Sequence, residues 1–264
     1  MLGALIGDIV GSRFEWHNHR SKDFPLFSDR CSPTDDSVMS LAVCQALLNS
    51  EEKHTDLTQE TISAMVSLGR AYPDAGYGGR FRKWLRAENK EPYNSFGNGA
   101  AMRVSGCAYV GTSLKHAQNL AEIVTKVTHN HPEGIKGALA TTDAIYLART
   151  GASLEEIRTH CSNYYTFDQT IDEMRPTYHF DISCQGTVPP ALQAFFEATS
   201  FEDAVRTAIS LGGDSDTLAA ITGSVAEAYF GIPQDLRTEA LSFLDENLSS
   251  ILSAFELKYP SKII

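Results

Sequence analysis

The chain has no long run of apolar residues. None of its 264 residues lies in an apolar stretch of about 18 or more, the length that a membrane-spanning helix requires, so no membrane span is expected. The apolar segment 2–7 has no basic residues before it and is interrupted by Asp8. This pattern argues against a signal peptide.

Cysteine is scarce, and the cysteines are not spaced as the pairs of a disulfide or metal-binding motif would be. The five cysteines are odd in number, lie far apart and form no Cys-x-x-Cys motif: Cys31, Cys44, Cys107, Cys161 and Cys184. A disulfide scaffold and a structural zinc site are therefore not expected. We interpret the cysteines as small buried hydrophobic residues of a cytoplasmic protein.

Positive charge is also scarce. Lysine and arginine number 22 against 33 acidic residues, which gives a formal net charge of −11. A nucleic-acid backbone is an unlikely main partner, because binding it needs a basic face. A small anionic ligand stays possible, since bound metal ions can reverse the local field. We expect one domain over residues 1–264 and a monomer.

Strand signals are few, and helical periodicity dominates. Apolar residues recur at helical spacing after Thr34, before Thr128, after Pro132, from Leu218 to Tyr229, and over 236–255. These patterns predict an all-α fold, a compact single-domain helical bundle. Two irregular segments, 73–99 and 163–190, are predicted to be long loops, which are often functional in compact domains.

Two acidic clusters precede two of the predicted helices: Thr34-Asp35-Asp36-Ser37 and Gly212-Gly213-Asp214-Ser215-Asp216-Thr217. Taken singly, each is better explained as a helix cap, because Asp, Ser and Thr are preferred there. A cap needs only one oxygen, however, and each cluster offers three or four. Carboxylates and hydroxyls are the ligands of Mg²⁺, so the two clusters together favour a shared metal site.

A glycine stripe marks the first predicted helix. Gly3, Gly7 and Gly11 recur at a spacing of four, which gives the helix a flat face. Each glycine costs roughly 1 kcal/mol of helix stability against alanine, so a close contact should compensate. We predict that this face packs against a neighbouring helix and does not contact a ligand.

Several further residues suit chemistry. Glu15 lies between two aromatic residues, which can raise its pKa and suit proton transfer; an exposed loop glutamate is the equal alternative. The loop Ser95-Phe96-Gly97-Asn98-Gly99 precedes a predicted helix and can offer backbone N–H groups to a diphosphate, or be a simple turn. Arg103 is expected to pair with a carboxylate, and Asp8 to be structural or to support the metal ligands from behind.

In these features the chain resembles the ADP-ribosylglycohydrolases, also called the dinitrogenase reductase-activating glycohydrolase family. The segments that carry the resemblance occur in the family's order and span nearly the whole chain: Gly3 to Asp8 with Gly11 and Glu15, Thr34 to Ser37, Ser95 to Val104, Thr128-His129, and Gly213 to Thr217. The combination is specific, although no single segment is.

The resemblance implies an all-helical hydrolase with a binuclear Mg²⁺ centre that removes ADP-ribose from a modified group, with Mn²⁺ as a substitute. It gives a set of metal ligands: Thr34, Asp35, Asp36, Asp214, Asp216 and Thr217. It also places Glu15 beside the metals and His129 against substrate. We expect Glu15, Asp36 or a metal-bridging carboxylate to assist proton transfer. The loop 95–99 is expected to hold the diphosphate, and an aromatic residue such as Phe96 to stack on the adenine or a ribose.

Two other functional classes stay open at this point: a metal-dependent phosphoesterase, and a non-catalytic ADP-ribose-binding module on the same scaffold. The segment Ser183 to Thr187 matches no motif of the family, which leaves the leaving group undecided. ADP-ribosyl-arginine, ADP-ribosyl-serine, O-acetyl-ADP-ribose and modified nucleic-acid bases are all candidates.

Overall fold

The fold is all-α, as predicted, in the computed structural model of the chain, which describes residues 1–260. In that range there is no strand; a single isolated bridge pairs Gly97 with Ser183. The last four residues of the predicted domain, 261–264, lie outside the described part. The helices are, in chain order, α1 (Leu2–Ser12), α2 (Asp35–Asn49), α3 (Leu57–Ala71), α4 (Gly79–Arg86), α5 (Gly99–Met102), α6 (Ser105–Val110), α7 (Leu114–Lys126), α8 (Pro132–Arg149), α9 (Leu154–Cys161), α10 (Ile171–Met174), α11 (Cys184–Glu197), α12 (Phe201–Ser210), α13 (Ser215–Phe230), α14 (Gln234–Leu241) and α15 (Glu246–Lys258).

Helix α13 forms the centre of the molecule. It is surrounded by α1, α2, α5, α8, α11 and α12, and each of its residues from Ser215 to Ala228 is buried. Its buried polar side chains find partners within the core. The Glu227 carboxylate accepts a hydrogen bond from the backbone N–H of Gly3 at 2.7 Å. A helix that is buried all round in this way fixes the positions of the elements around it.

The glycine stripe of α1 packs directly on α13, which confirms the packing interpretation. A Cβ atom on Gly7 would lie 2.0 Å from the carbonyl oxygen of Ala219, and one on Gly11 would lie 2.5 Å from the Cα of Asp216. Gly3 makes a similar approach. No side chain fits between the two backbones, so glycine is required on this face of α1.

Asp8 connects α1 to the start of α2. Its buried carboxylate accepts hydrogen bonds from the Thr34 N–H at 2.8 Å, the Thr34 hydroxyl at 2.5 Å and the Ser37 N–H at 3.0 Å. It also accepts one from the Ser37 hydroxyl. Because these are donors at a helix N-terminus, Asp8 has the structural role expected of it.

Local sequence signals place several helix ends correctly. Thr34 precedes α2 and accepts a hydrogen bond from the N–H of Asp36, and Pro132 opens α8. Gly231 ends α13 with φ +85°, a left-handed backbone that favours glycine. The five cysteines are buried and free.

Two predicted segments differ from the structure. The apolar pattern over 236–255 belongs to two helices, α14 and α15, because the Asp245 side chain accepts from the Leu248 N–H and begins a new helix. The predicted loop 73–99 contains α4, whose Phe81, Trp84 and Leu85 are buried at helical spacing. The predicted loop 163–190 contains α10 and the first turns of α11.

Within residues 1–260, no helix has the length and apolar character needed to cross a membrane.

We predict that Gly7→Ala destabilises the protein. Alanine at an ordinary helix position would stabilise it by about 1 kcal/mol relative to glycine. Here the added methyl group meets the α13 backbone, so we expect a loss of about 3 kcal/mol in the free energy of unfolding. Urea unfolding followed by circular dichroism measures this loss.

Gly79→Ala is the matched control, because a Cβ on Gly79 has no atom within 4 Å. It should leave the unfolding free energy unchanged or slightly higher. Equal stability of the Gly7 and Gly79 variants would show that α1 and α13 are not packed as described.

Candidate metal centre and cleft

A cleft of about 310 Å³ opens where the N-terminal ends of α2 and α13 meet. Most of the residues singled out from the sequence line it: Glu15, Asp35, Asp36, Ser95, Gly97, Asn98, Gly99, His129, Asp214, Asp216 and Thr217. Both helices point their positive dipole ends at this place, which favours negative charge there. The two acidic clusters, far apart in the sequence, therefore share one cleft.

The carboxylates form two groups that share Asp216. One oxygen each of Asp8, Asp36 and Asp216 lie within 4.8 Å of one another, and so do oxygens of Glu15, Asp214 and Asp216. The Thr217 hydroxyl donates to Asp36 Oδ2 at 3.1 Å. Asp36 Oδ1 is buried and has no hydrogen-bond partner. A buried carboxylate oxygen without a partner is costly, and a hard divalent cation would satisfy it.

The cleft concentrates more negative charge than the protein neutralises. Among the described residues, no Lys, Arg or His nitrogen lies within ion-pair distance of the six carboxylates at this site: Asp8, Glu15, Asp35, Asp36, Asp214 and Asp216. Carboxylates so close together stay charged only with a strong countercharge, which oxygen-binding cations provide. The donor set therefore fits Mg²⁺ or a similar ion.

Burial and mutual repulsion raise the pKa values of these groups. Burial, and then the charge of Asp214, raise the pKa of Glu15 to about 7. Burial and then neighbouring carboxylates raise the pKa of Asp35 to about 7. The pKa values of Asp36 and Asp216 are well above their usual range for the same reasons. Without a cation, the site therefore holds protons near neutral pH.

Asn18 holds Glu15 beside the second acidic cluster. Its side-chain amide donates to the backbone oxygens of Glu15 at 3.1 Å and Gly213 at 3.0 Å, and it accepts from the Gly213 N–H at 2.9 Å. Gly213 has φ +74°, and a Cβ there would lie 2.5 Å from the Tyr178 ring. The glycine lets the turn before α13 approach both neighbours closely.

Asn98 connects the glycine-bearing loop to the acidic centre. Its side-chain amide donates to Asp214 Oδ2 at 2.6 Å and to the Thr187 hydroxyl at 3.1 Å. Asn98 precedes α5 but makes no capping hydrogen bond with its side chain. Asn98 therefore holds the Asp214 carboxylate in a fixed position relative to the loop 95–99, which forms one wall of the cleft.

Three of the residues predicted from the sequence lie outside the cleft lining or outside the two carboxylate groups. Thr34 is outside the cleft lining, and its hydroxyl donates to Asp8. Asp35 lines the cleft but belongs to neither close group of carboxylates. Phe96 is outside the lining, 43% exposed, and its ring centre lies 5.2 Å from that of His131.

Two backbone N–H groups of the loop 95–99 already donate hydrogen bonds to other atoms of the protein. The Gly97 N–H donates to the Ser95 hydroxyl at 3.2 Å, and the Asn98 N–H donates to the Ile182 carbonyl at 2.7 Å. Gly99 opens α5 and lines the cleft. The loop thus presents Ser95, Gly97 and Gly99 to the cleft, with two of its N–H groups already engaged.

Arg103 lines the same wall, and the expectation that it pairs with a carboxylate is wrong. Its side chain is 2% exposed and donates to the Gly99 carbonyl, and it lies 3.4 Å from His129 Nδ1. His129 is neutral, because burial and then the Arg103 charge lower its pKa well below the usual range. Because the buried guanidinium forms no ion pair with a carboxylate of residues 1–260, it leaves a positive charge beside the loop 95–99.

The sequence did not reveal the aromatic residues at the cleft mouth. Trp16 and Phe180 both line the cleft and stack with ring centres 5.2 Å apart and planes 19° apart. Ile182 lies beside them and is 63% exposed. The position of Trp16 next to Glu15 in the sequence was the one sign that it could lie at the site. Phe180 and Ile182 belong to the segment 163–190, whose role could not be predicted from the sequence.

Comparisons with known proteins agree on one family. The sequence model described as ADP-ribosylglycohydrolase matches residues 1–259. The Homo sapiens protein named ADP-ribosylhydrolase ARH3 is 26% identical over 314 aligned positions, which cover 89% of this chain and 85% of that protein.

A bacterial relative and a solved structure are also similar. The Rhodospirillum rubrum protein named ADP-ribosyl-[dinitrogen reductase] glycohydrolase is 26% identical over 273 positions, covering 92% of this chain and 88% of that one. A solved structure titled ADP-ribosylglycohydrolase-related protein complex superposes with a TM-score of 0.72 at 22% identity, over 96% of this chain and 94% of that chain. This last likeness shows the fold.

The raised pKa values predict how pH affects the stability of the metal-free protein. A carboxyl group with a raised folded-state pKa contributes stability that is full below the unfolded value and lost as pH rises through the folded value. For Glu15 and Asp35 that loss is centred at about pH 7. In chelator, we expect the melting temperature to fall between about pH 6.5 and 8.5 by roughly 2 °C, the shift that about 1 kcal/mol gives in a chain of this length.

The pH window begins near 6.5 because of His129, whose folded-state pKa is lowered. Below about pH 6.5, the ordinary pKa of histidine, this group makes stability rise with pH, which is opposite to the effect of the carboxyl groups. Mg²⁺ should restore the melting temperature at the upper pH and change it less at the lower pH. Differential scanning calorimetry with and without Mg²⁺ measures both effects. A metal-free melting temperature that rises over this range, with no response to Mg²⁺, would contradict the crowded-carboxylate description.

Proposed function

The chain belongs to the ADP-ribosylglycohydrolase family, and from that premise we propose that it cleaves the glycosidic bond between ADP-ribose and a modified acceptor, with two Mg²⁺ ions, or Mn²⁺, as cofactors. One observation carries the metal part of the proposal. Asp36 Oδ1 is a buried carboxylate oxygen that has no hydrogen-bond partner, and other carboxylates surround it. Family membership supports the hydrolytic part.

The proposed ligands are the residues inferred from the sequence: Thr34, Asp35, Asp36, Asp214, Asp216 and Thr217. Asp216 is the best supported, because it belongs to both carboxylate groups. Thr34 is the least supported, because its hydroxyl donates to Asp8. When bound, such cations polarise oxygen atoms, lower the pKa of water and orient hydroxyl groups of a substrate.

Glu15 is proposed to move the proton. In the metal-free site, burial and the charge of Asp214 raise its pKa to about 7. A carboxyl group of this kind in the cleft can exchange a proton with water or substrate, which is the role of a general acid–base catalyst. Glu15 is half-buried and lines the cleft beside Asp214 and Asp216. Asp36 is the other proposed participant, although its hydrogen bond from Thr217 and its burial suit it better to holding a cation.

The remaining cleft wall is proposed to hold the ADP part of the substrate. The loop Ser95-Phe96-Gly97-Asn98-Gly99 and His129 are the proposed contacts, with the diphosphate nearest Gly97 and Gly99. The buried positive charge of Arg103 behind Gly99 supports this placement, since a diphosphate needs a countercharge in an acidic cleft. The exposed Trp16 and Phe180 rings are better placed at the cleft mouth than Phe96 to cover a planar group.

The first test concerns the metal. We expect excess EDTA to abolish release of ADP-ribose and added Mg²⁺ or Mn²⁺ to restore it, because the donor set is oxygen only. Asp216→Asn removes the charge that both carboxylate groups share, so it should lower turnover by more than about 100-fold. Chromatography of free ADP-ribose from a panel of arginine-, serine- and acetyl-linked substrates measures turnover.

Asp29→Asn is the control, since it makes the same change at an exposed position. It should keep wild-type turnover. Full activity in EDTA would overturn the metal proposal, and cleavage of a phosphodiester in place of the glycosidic bond would identify a phosphoesterase. ADP-ribose binding without turnover of any substrate would identify a non-catalytic module.

The second test concerns Glu15. Glu15→Gln keeps the shape of the side chain and removes its proton-transfer capacity, so kcat should fall by about 10²- to 10⁴-fold. Affinity for ADP-ribose, measured by calorimetry, should change little, because a group that acts in the transition state affects kcat more than binding. Glu91→Gln, at an exposed position, is the control. A kcat within about threefold of wild type, far below the acid–base range, would remove Glu15 from the mechanism.

A further inference from the structure

Basic side chains gather on the wall between the cleft and a second depression. The segment 70–90 holds six of the 22 lysine and arginine residues of an otherwise acidic chain. Arg70, Arg82 and Arg86 line the second depression, which has a volume of about 550 Å³. The rest of its lining is small, apolar or neutral apart from one acid: Gly69, Pro73, Asp74, Tyr77 and Leu85.

Within residues 1–260 the three arginines of this depression are not paired with carboxylates. All are exposed, and none forms an ion pair with any carboxylate in the described part of the chain, including Asp74 on the same wall. Burial and then the charge of Arg70 lower the pKa of nearby Lys90, whose ammonium lies outside the depression and donates to the carbonyls of Trp84 and Leu85. Like charges that converge on one concavity repel each other, and a bound anion relieves this repulsion.

Helix α4 connects this depression to the catalytic cleft. Gly78, Gly79, Arg80 and Phe81 line the cleft, while Arg82, Leu85 and Arg86 line the depression. At 1.5 Å per residue, the eight residues of α4 span about 12 Å, so the two sites lie on one short helix. An acceptor whose modified side chain enters the cleft would therefore extend across α4.

We propose that the depression formed by Arg70, Arg82 and Arg86 binds a phosphate monoester carried by the acceptor protein near its ADP-ribosylated residue. This proposal rests on the proposed function, because that function supplies the acceptor. The planar guanidinium group of arginine forms paired hydrogen bonds with phosphate oxygens. A nucleic-acid backbone fits less well, since it needs a continuous basic stripe, and the chain as a whole carries a charge of −11.

The test is binding of two fluorescein-labelled peptides, both made of glycine and alanine, with a central phosphoserine in one and serine in the other. Fluorescence anisotropy at low salt should show at least tenfold tighter binding of the phosphorylated peptide. Arg82→Gln and Arg86→Gln, made separately, should each remove most of that preference. Lys83→Gln removes the same charge from an exposed position of α4 outside the depression, so it should leave the preference intact.

Equal affinity for the two peptides would overturn the proposal. So would an equal loss in the Lys83→Gln variant, which would indicate only general attraction, or tighter binding of a single-stranded oligonucleotide than of the phosphopeptide. The readout needs no turnover, so it stands even if the hydrolase proposal fails. Conversely, Arg86→Gln should keep wild-type turnover of a small ADP-ribose conjugate whose acceptor has no phosphate.

Discussion

The contact between α1 and α13 is the constraint on which the rest of the structure depends. Three glycines bring the two backbones together so closely that a Cβ on Gly11 would lie 2.5 Å from the Cα of Asp216. That approach sets Glu15, which follows α1, beside the carboxylates that begin α13. The same helix carries Asp8, which holds the start of α2 and therefore Asp36. One helix thus aligns the three parts of the acidic centre.

The same arrangement has an electrostatic cost. Buried carboxylates that share a cleft repel each other. The ends of α2 and α13, and hydrogen bonds such as those from Asn98 to Asp214 and from Thr217 to Asp36, compensate for this repulsion in part. Asp36 Oδ1 lacks even a hydrogen bond. Active sites often keep such unfavourable groups because chemistry requires them, and the packing elsewhere supplies the stability. A bound cation would remove the cost and complete the proposed catalytic centre.

Much of this could be predicted from the sequence, and the limits have physical causes. Periodicity and caps identified several of the helices, among them α2, α7, α8 and α13, and the paired acidic clusters identified residues that the fold brings into one cleft. Partners across the fold were not predictable: that Thr34 donates to Asp8, that Arg103 has no carboxylate, or that Trp16 stacks on Phe180. Each depends on how distant segments meet. Helix α4 was missed because its glycines and many charges obscured a three-residue apolar face.

The measurement that tests the central claim most directly is anomalous X-ray diffraction from crystals soaked in Mn²⁺, which substitutes for Mg²⁺ at oxygen sites. The account predicts two anomalous peaks, both within coordination distance, about 2.2 Å, of carboxylate oxygens in the centre that includes Asp36, Asp214 and Asp216. Asp216 should lie next to both peaks, because it belongs to both carboxylate groups. The absence of any peak at these carboxylates, at a Mn²⁺ concentration that supports turnover, would contradict the account.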